Sequence, residues 1–334
     1  MSNVWLRIKS LARRATAVVV ILIGFLAITE FTLGAIYHWQ PLSATYFETF
    51  EEPPHFRLRA NVSAMQLFEQ PVRVTTNSEG LRIVPGAPEG AGVVIHVIGD
   101  SQVFGSGLSD DQTIPSRLQV ILGSQFKVIN HGLPATGPFY YAQEMSEIDA
   151  ADWVVCIQSE MNDMEDSYSP LSQTCSRCGT LLTDSAEGRA LPCFIMRSYS
   201  FHLALNLWDR FADRRQPLPL DFNPRAPVAA TVLARRIHDL FQPQVQLRGN
   251  HLIFGLVPWD GLIVPARRRE YSPAVDQPRR LVEWTDDLKI EDVFRQDADR
   301  ESLFLKNDPH LSARGAEIAA AVVAGEFLKR YHER

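Results

Sequence analysis

The chain has no basic surplus: 33 lysine and arginine residues stand against 39 aspartate and glutamate, for a formal net charge of −6 at pH 7. Nucleic-acid binding needs a concentrated positive face, so nucleic acid is not an expected partner. Internal repeats are also missing, and with them any reason to expect a stacked-repeat architecture. Long apolar runs are absent apart from one near the N-terminus. Cysteine is scarce, with four residues in 334, and three of those four fall inside "CSRCGTLLTDSAEGRALPC". What is present is a globular composition, 46% hydrophobic and 22% charged, long enough for one large domain or two ordinary ones.

The apolar run covers residues 15–39, "ATAVVVILIGFLAITEFTLGAIYHW", behind a short basic tail (1–14) carrying Arg7, Lys9, Arg13 and Arg14. About 25 residues at 1.5 Å each exceed a hydrocarbon core of about 30 Å, so the segment can span a bilayer. Glu30 is the one charge within it and is expected near the outer interface, where a charge costs least. A cleaved signal peptide is the competing reading, but the run is long and no small-x-small site follows it. The basic residues ahead of the span predict a cytoplasmic N-terminus and a single-pass topology, with everything after Gln40 on the far side of the inner membrane, in the periplasm or cell exterior.

The cysteines leave alternatives open. Cys175-x-x-Cys178-Gly resembles half of a zinc knuckle, yet a second Cys-x-x-Cys is missing and the nearby fourth ligand would be His202 or a carboxylate. Outside the cytoplasm, a disulfide among Cys175, Cys178 and Cys193 is the plainer expectation. Cys156, in "WVVCIQ", reads as a buried strand residue.

Residues 40–90 are proline-rich and mixed and read as a stalk and lead-in segment. Beyond Ala91, strand-like and helix-like runs alternate. "VVIHVIG", "FKVINHG", "DWVVCIQ" and "HLIFGLVPW" are short and apolar throughout, as strands covered on both faces should be. "TIPSRLQVILG" has helical spacing at Ile114, Leu118, Ile121 and Leu122. The last helix is expected to start at a Ser312 cap, bury Ile318, Val322, Val323 and Phe327, and end with Lys329 and Arg330. This alternation predicts a parallel sheet with helices on both faces. From about 164 to 227 the rhythm breaks; an insertion is expected there, with a helical piece around 199–211.

Ligands in open α/β sheets bind at the carboxyl ends of the strands, so what each strand ends in is informative. The first ends in Gly99-Asp100-Ser101, the second in Asn130-His131-Gly132, the third in "QSEMNDMED" with Asn162 and Asp163. Just before the final helix stands "NDPHLSARG" with Asp308 and His310. A serine hydroxyl needs a base to take its proton, and that base needs an acceptor to hold its tautomer. Ser101, His310 and Asp308 supply these three residue types, although each alone is ordinary in a turn or loop.

The motifs together resemble the SGNH/GDSL hydrolase family, in its membrane-anchored bacterial form. "GDSQVFG" matches the first block, "NHGLPATG" is similar to the second, "EMNDMED" to the third and "DPHLSARG" to the fourth, over about residue 75 to the C-terminus. "TTNSEGLR" (75–82) also resembles a motif of anchored members. The resemblance implies Ser101 as nucleophile, His310 as base, Asp308 as its partner, and an oxyanion hole from the Ser101 and Gly132 N–H groups and the Asn162 side chain. Gly99 is expected to permit a sharp turn, and Asp100 to hold the loop. Two departures are visible: Met161 stands where the family has glycine, and Asp308 lies two rather than three residues before His310. That shorter spacing is similar to the anchored members and to some polysaccharide O-acetyltransferases.

The fold implied by the resemblance is a three-layer α/β/α, flavodoxin-like domain over residues 91–334, and the chemistry it implies is that of acyl esters, through an acyl-serine, with no cofactor and no metal. The substrate class expected from it is an acylated glycan or lipid-type ester. Hydrolysis and O-acyl transfer use the same residues, so the motifs do not separate them, and a catalytically idle tethered binding protein is the alternative of another class. Acyl group, alcohol portion and oligomeric state are not encoded in any readable motif. Other residues have plainer roles open to them. Glu160, Asp163, Glu165 and Asp166 fit no calcium loop. Trp259 and Asp260 either line a pocket or pack, His131 is expected to be structural, and Arg267, Arg268 and Arg269 read as a solvated charge run.

Overall fold

A computed structural model describes residues 2–36, 47–49, 56–67, 69, 71–134, 136–159, 198, 200, 239, 241–267 and 286–333. The cysteine loop, Asn162, the acidic cluster, Arg268, Arg269 and nearly all of the expected insertion lie outside the described residues.

Helix α1 (Ser2–Ile36) contains a 21-residue stretch, Arg13–Leu33, long and apolar enough to cross a membrane. Ile21, Phe25, Ile28 and Phe31 are each about two-thirds exposed, so α1 is not a core helix of the folded domain. Glu30 sits three residues from the end of that stretch. Its Oε2 accepts hydrogen bonds from the Ser198 hydroxyl at 2.7 Å and the Ser200 N–H at 2.8 Å, which offset part of the cost of placing a carboxylate beside apolar neighbours.

Two antiparallel pairs follow, β1 (Phe47–Thr49) with β2 (Phe56–Leu58) and β3 (Ser63–Leu67) with β4 (Pro71–Thr75). Then come the strands of the main sheet: β5 (Val93–Gly99), β6 (Phe126–Gly132), β7 (Trp153–Ser159) and β8 (Leu252–Val257). All pair in parallel, in the order β6-β5-β7-β8. Strand side chains alternate between faces. Ile95, Val97, Trp153, Val155, Ile157 and Ile253 therefore join one core, while Ile98, Val154, Cys156, Leu252 and Phe254 join another. The first face is covered by α3 (Ile114–Leu122) and the C-terminal helix, the second by α4 (Pro138–Glu147) and α5 (241–248). This is the expected three-layer arrangement.

Local chemistry fixes the helix ends. The Thr113 side chain accepts from Ser116 N–H to cap α3, which carries Pro115 in its first turn. Downstream of β8 lie α6 (Asp260–Ile263), α7 (Ile290–Gln296) and α8 (Ala313–His332). Ser312 caps α8 by accepting from Gly315 N–H, and Lys329, Arg330 and His332 occupy its last turn. Val323 and Phe327 are buried while Ile318 and Val322 pack at the margin. The chain leaves β5 for β6 on one side and then crosses to β7 on the other, so the crevice of this sheet opens at the carboxyl end of β5.

Candidate active site

The carboxyl end of β5 leads directly into a helix of four residues, α2 (Ser101–Phe104). So short a helix has almost no intrinsic stability and must be held by its surroundings. Asp100 caps it, its Oδ1 accepting from Gln102 N–H at 2.8 Å, and Gly105 ends it in the left-handed region at φ 85°. Gly99 stands at the turn from β5 into α2 and takes no left-handed φ there. Its requirement is proximity: a Cβ there would lie 2.4 Å from Val103 Cγ2 and 2.6 Å from the Ile157 carbonyl oxygen.

Ser101, at the first position of α2, is buried, and its Oγ lies 2.7 Å from His310 Nε2. His310 Nδ1 lies 2.5 Å from Asp308 Oδ1, which also accepts from the His310 backbone N–H at 2.9 Å. The two-residue spacing between acid and histidine thus closes a ring in which one carboxylate oxygen holds both the backbone and the imidazole. The structure brings Ser101, His310 and Asp308 into one hydrogen-bonded chain. With Nδ1–H facing Asp308, Nε2 is left as the acceptor for the serine proton.

Charge around the imidazole is arranged to favour its protonated form. Burial opposes a charged His310, but the charge and hydrogen bond of Asp308 and the charges of Asp100 and Asp260 outweigh it, so its pKa is raised above the ordinary histidine value. Asp100 is fully buried, and burial pushes its carboxyl pKa up, opposed by the Gln102 N–H and the nearby His310. As expected, Asp100 holds the loop; its Oδ2 is 3.4 Å from Ser101 Oγ, much farther than His310.

For Gly132 the structure shows a different task from the open N–H donor expected. Its N–H donates to Asn130 Oδ1 at 2.8 Å, and a Cβ on it would lie 2.1 Å from the Phe104 backbone nitrogen. Asn130 is buried and also donates to the Val103 carbonyl at 3.3 Å, which keeps its side chain in place under α2. Ser101, by contrast, opens a helix, where N–H groups have no intrahelical acceptor.

Two positioning groups carry no catalytic signature and were missed in the sequence. The buried guanidinium of Arg82 donates to the carbonyls of Phe104, Gly105 and Leu108 at 2.6–2.8 Å and pairs with Asp110 at 3.0 Å. Its position as the last residue of "TTNSEGLR" was the available signal. Gln102, next to the serine, accepts from Leu311 N–H at 3.0 Å.

The other singled-out residues divide cleanly. His131 is part of a buried chain: its Nε2 meets His96 Nδ1 at 2.8 Å, its Nδ1 meets Glu144 at 2.9 Å, and His96 Nε2 meets Asp152 at 3.2 Å. Trp259 is buried, with its ring against Gly261, and so packs; Asp260 is buried close enough to His310 to act on its charge. Arg267 is not a solvated charge, since it donates to the carbonyls of Leu305 at 2.7 Å and Glu301 at 3.0 Å and stands 4.0 Å from Asp260. A cavity of about 520 Å³ lies elsewhere, between Leu252, Asp287 and Arg330, and holds none of these site residues.

Residues 225–334 match the family model described as "SGNH hydrolase-like domain, acetyltransferase AlgX". That third of the chain is similar to an SGNH hydrolase-like domain. The matched third of the sequence contains Asp308 and His310, while Ser101 is joined to them by the fold. Among solved structures, the lipase/acylhydrolase from Enterococcus faecalis is similar at 13% identity and TM-score 0.40, covering 71% of this chain and 96% of its own. A carbohydrate acetylesterase family member from Sinorhizobium meliloti is similar at 13% identity and TM-score 0.27, covering 71% and 98%. No curated protein matches the chain.

Proposed function

We propose that this SGNH hydrolase-like chain is a membrane-anchored serine esterase acting on an acylated glycan or lipid-type ester. The observation that carries the reading is the chain Ser101 Oγ–His310 Nε2 at 2.7 Å and His310 Nδ1–Asp308 at 2.5 Å at the end of β5. Ser101 Oγ attacks the ester carbonyl as His310 takes its proton; the C–O bond to the alcohol then breaks, and His310 returns that proton to the departing oxygen. Water, deprotonated by His310, releases the acid and restores the serine. The developing oxyanion is held by the Ser101 N–H and the side-chain amide of Asn162, with Gly132 serving as the close-packed floor.

A second reading is favoured by the matched family's description as an acetyltransferase. In it a sugar hydroxyl replaces water in the second half, and the same residues serve. We assign the domain to the periplasm or cell exterior, with α1 as its single anchor. Arg7 and Lys9 ahead of the span, Arg13 and Arg14 at its start, and the exposed apolar sides of α1 support this.

The test is labelling of the full-length protein, in detergent, by a serine-reactive fluorophosphonate, alongside nitrophenol release from short acyl esters with and without a glycan acceptor. Labelling that disappears in Ser101→Ala, with steady nitrophenol release, supports the esterase. Release that depends on the glycan supports the transferase. A folded wild type that neither labels nor turns over would sink both and leave a tethered binding protein.

A further inference from the structure

Ser101 and His310 reach the site from segments 209 residues apart in sequence, and each segment is organised mainly by its own contacts. The serine turn is capped by Asp100 and gathered by Arg82. The histidine loop is closed by the Phe304↔Leu311 bridge, by Leu305 N–H donating to the His310 carbonyl at 2.8 Å, and by Ser312 N–H donating to the Leu303 carbonyl at 3.0 Å. Among the described residues, turn and loop are joined directly by Ser101–His310 itself and by Gln102 Oε1 accepting from Leu311 N–H.

We infer that Gln102 is a positioning residue that sets the serine against the histidine, an inference that rests on the esterase reading for its catalytic consequence. Gln102 and Leu311 each neighbour a reacting residue, so the strut between them is parallel to the catalytic contact and one residue away from it. Leu311 N–H can only donate, so the amide oxygen must face it, and the side chain has one orientation in this site. Gln102 is 3% exposed and Leu311 1% exposed, so water does not readily replace the bond. A glutamine suits the place because its acceptor is long and uncharged. A carboxylate there would add a negative charge to the set formed by Asp308, Asp100 and Asp260.

Full-length Gln102→Met and Gln102→Glu test this, with Ser101→Ala as reference. Methionine keeps the volume and removes the acceptor. Since a misplacement of about 1 Å costs on the order of a hundredfold in rate, Q102M should lower the acylation rate and kcat by roughly ten- to a hundredfold. KM should stay within about twofold, as expected when only transition-state geometry suffers. Q102E keeps an acceptor whether or not its carboxyl is ionised and should retain most of the rate at its optimum. Wild-type rates in Q102M would overturn the inference; if Q102M does not fold, Gln102→Ala, which also removes the acceptor, decides in its place. A readout independent of turnover is the ¹⁵N signal of His310 Nε2. It should shift in Q102M toward its position in S101A, and an unshifted signal would overturn the strut even if no ester is ever hydrolysed. Failure of the wild type to label, with that signal still responding, would count against the esterase reading and not against Gln102.

Discussion

Gly99 and Gly132 stand opposite each other in register at the carboxyl ends of the paired strands β5 and β6, and neither has room for a side chain. A Cβ on Gly99 would strike Val103, and one on Gly132 would strike the backbone of Phe104, so the two glycines form the floor under α2. The glycines are therefore needed for close approach of a helix that presents Ser101.

Gly132→Ala accordingly tests the floor. The clash is with backbone, which cannot rotate away, so α2 must lift or the strand must bend. We expect a stability loss of roughly 1–3 kcal/mol, the usual cost of overpacking, together with a larger loss of acylation rate than that destabilisation explains. Urea unfolding and fluorophosphonate labelling on the same sample check both. A variant with unchanged labelling would show that Ser101 does not depend on this packing.

The pH dependence follows from the surroundings of His310. As a base it must be neutral, and its pKa is raised, so the rate should climb with pH through a midpoint above the ordinary histidine value of 6.5. Asp308→Asn removes two of the influences that raise it and leaves the opposing effect of burial. The midpoint should therefore fall while the rate drops, because the imidazole also loses its tautomer-fixing partner. Profiles of kcat/KM against pH for the two proteins decide this; a midpoint that rises in Asp308→Asn would contradict the assignment.

His96 sets a second pH effect, on stability. His96 lies in the buried chain that runs from Asp152 through His96 and His131 to Glu144. Burial, then the neighbouring His131, lowers the His96 pKa to about 4. A histidine with a depressed folded pKa binds its proton more readily when unfolded. Stability is then fully present above about 6.5 and is lost as pH falls toward about 4, by on the order of 3 kcal/mol. Urea midpoints for wild type and His96→Gln between pH 7 and 4.5 measure it, and the variant should have the flatter curve.

The strands, α3 and α8 were legible because their patterns are local: continuous apolar runs for buried strands, helical spacing for α3, a Ser312 cap for α8. Ser101, Asp308 and His310 were legible because the chemistry demands those three residue types together and the motifs around them resemble those of a known family. What the sequence hid is what depends on three-dimensional proximity. Gly99 stands at the turn where it was expected, but the close approach of Val103 and Ile157 that excludes a side chain there was not readable. Gly132 looked like an open donor and is occupied by Asn130, two residues away. Arg267 looked solvated within a basic run and instead bridges to carbonyls of the segment before His310. Gln102 gave no signal, and Arg82 none beyond its place at the end of "TTNSEGLR", because hydrogen bonds to backbone carbonyls and N–H groups leave no mark in residue type.

Arg82 offers the sharpest separation of folding from chemistry. Its guanidinium is almost wholly buried, lies 4.8 Å from the Phe104 ring centroid, donates to three carbonyls at the end of the serine turn, and pairs with Asp110. Asp110 in turn accepts from Thr75 N–H at 3.1 Å, which ties the turn to β4. Arg82→Ala would leave that carboxylate and those carbonyls buried without their donor, and removing one partner of a buried pair costs about 3–5 kcal/mol. Arg82→Lys keeps the charge but cannot span the carbonyls with one planar fork, so it should recover the pairing with Asp110 and only part of the turn. The expected order of unfolding midpoints is wild type, then Arg82→Lys, then Arg82→Ala. Acylation rate per folded molecule should fall in Arg82→Lys as well, because α2 loses the anchors at its end. If Arg82→Lys is destabilised yet acylates at the wild-type rate per folded molecule, the guanidinium supports the fold alone and the serine is placed by the glycine floor and Asp100.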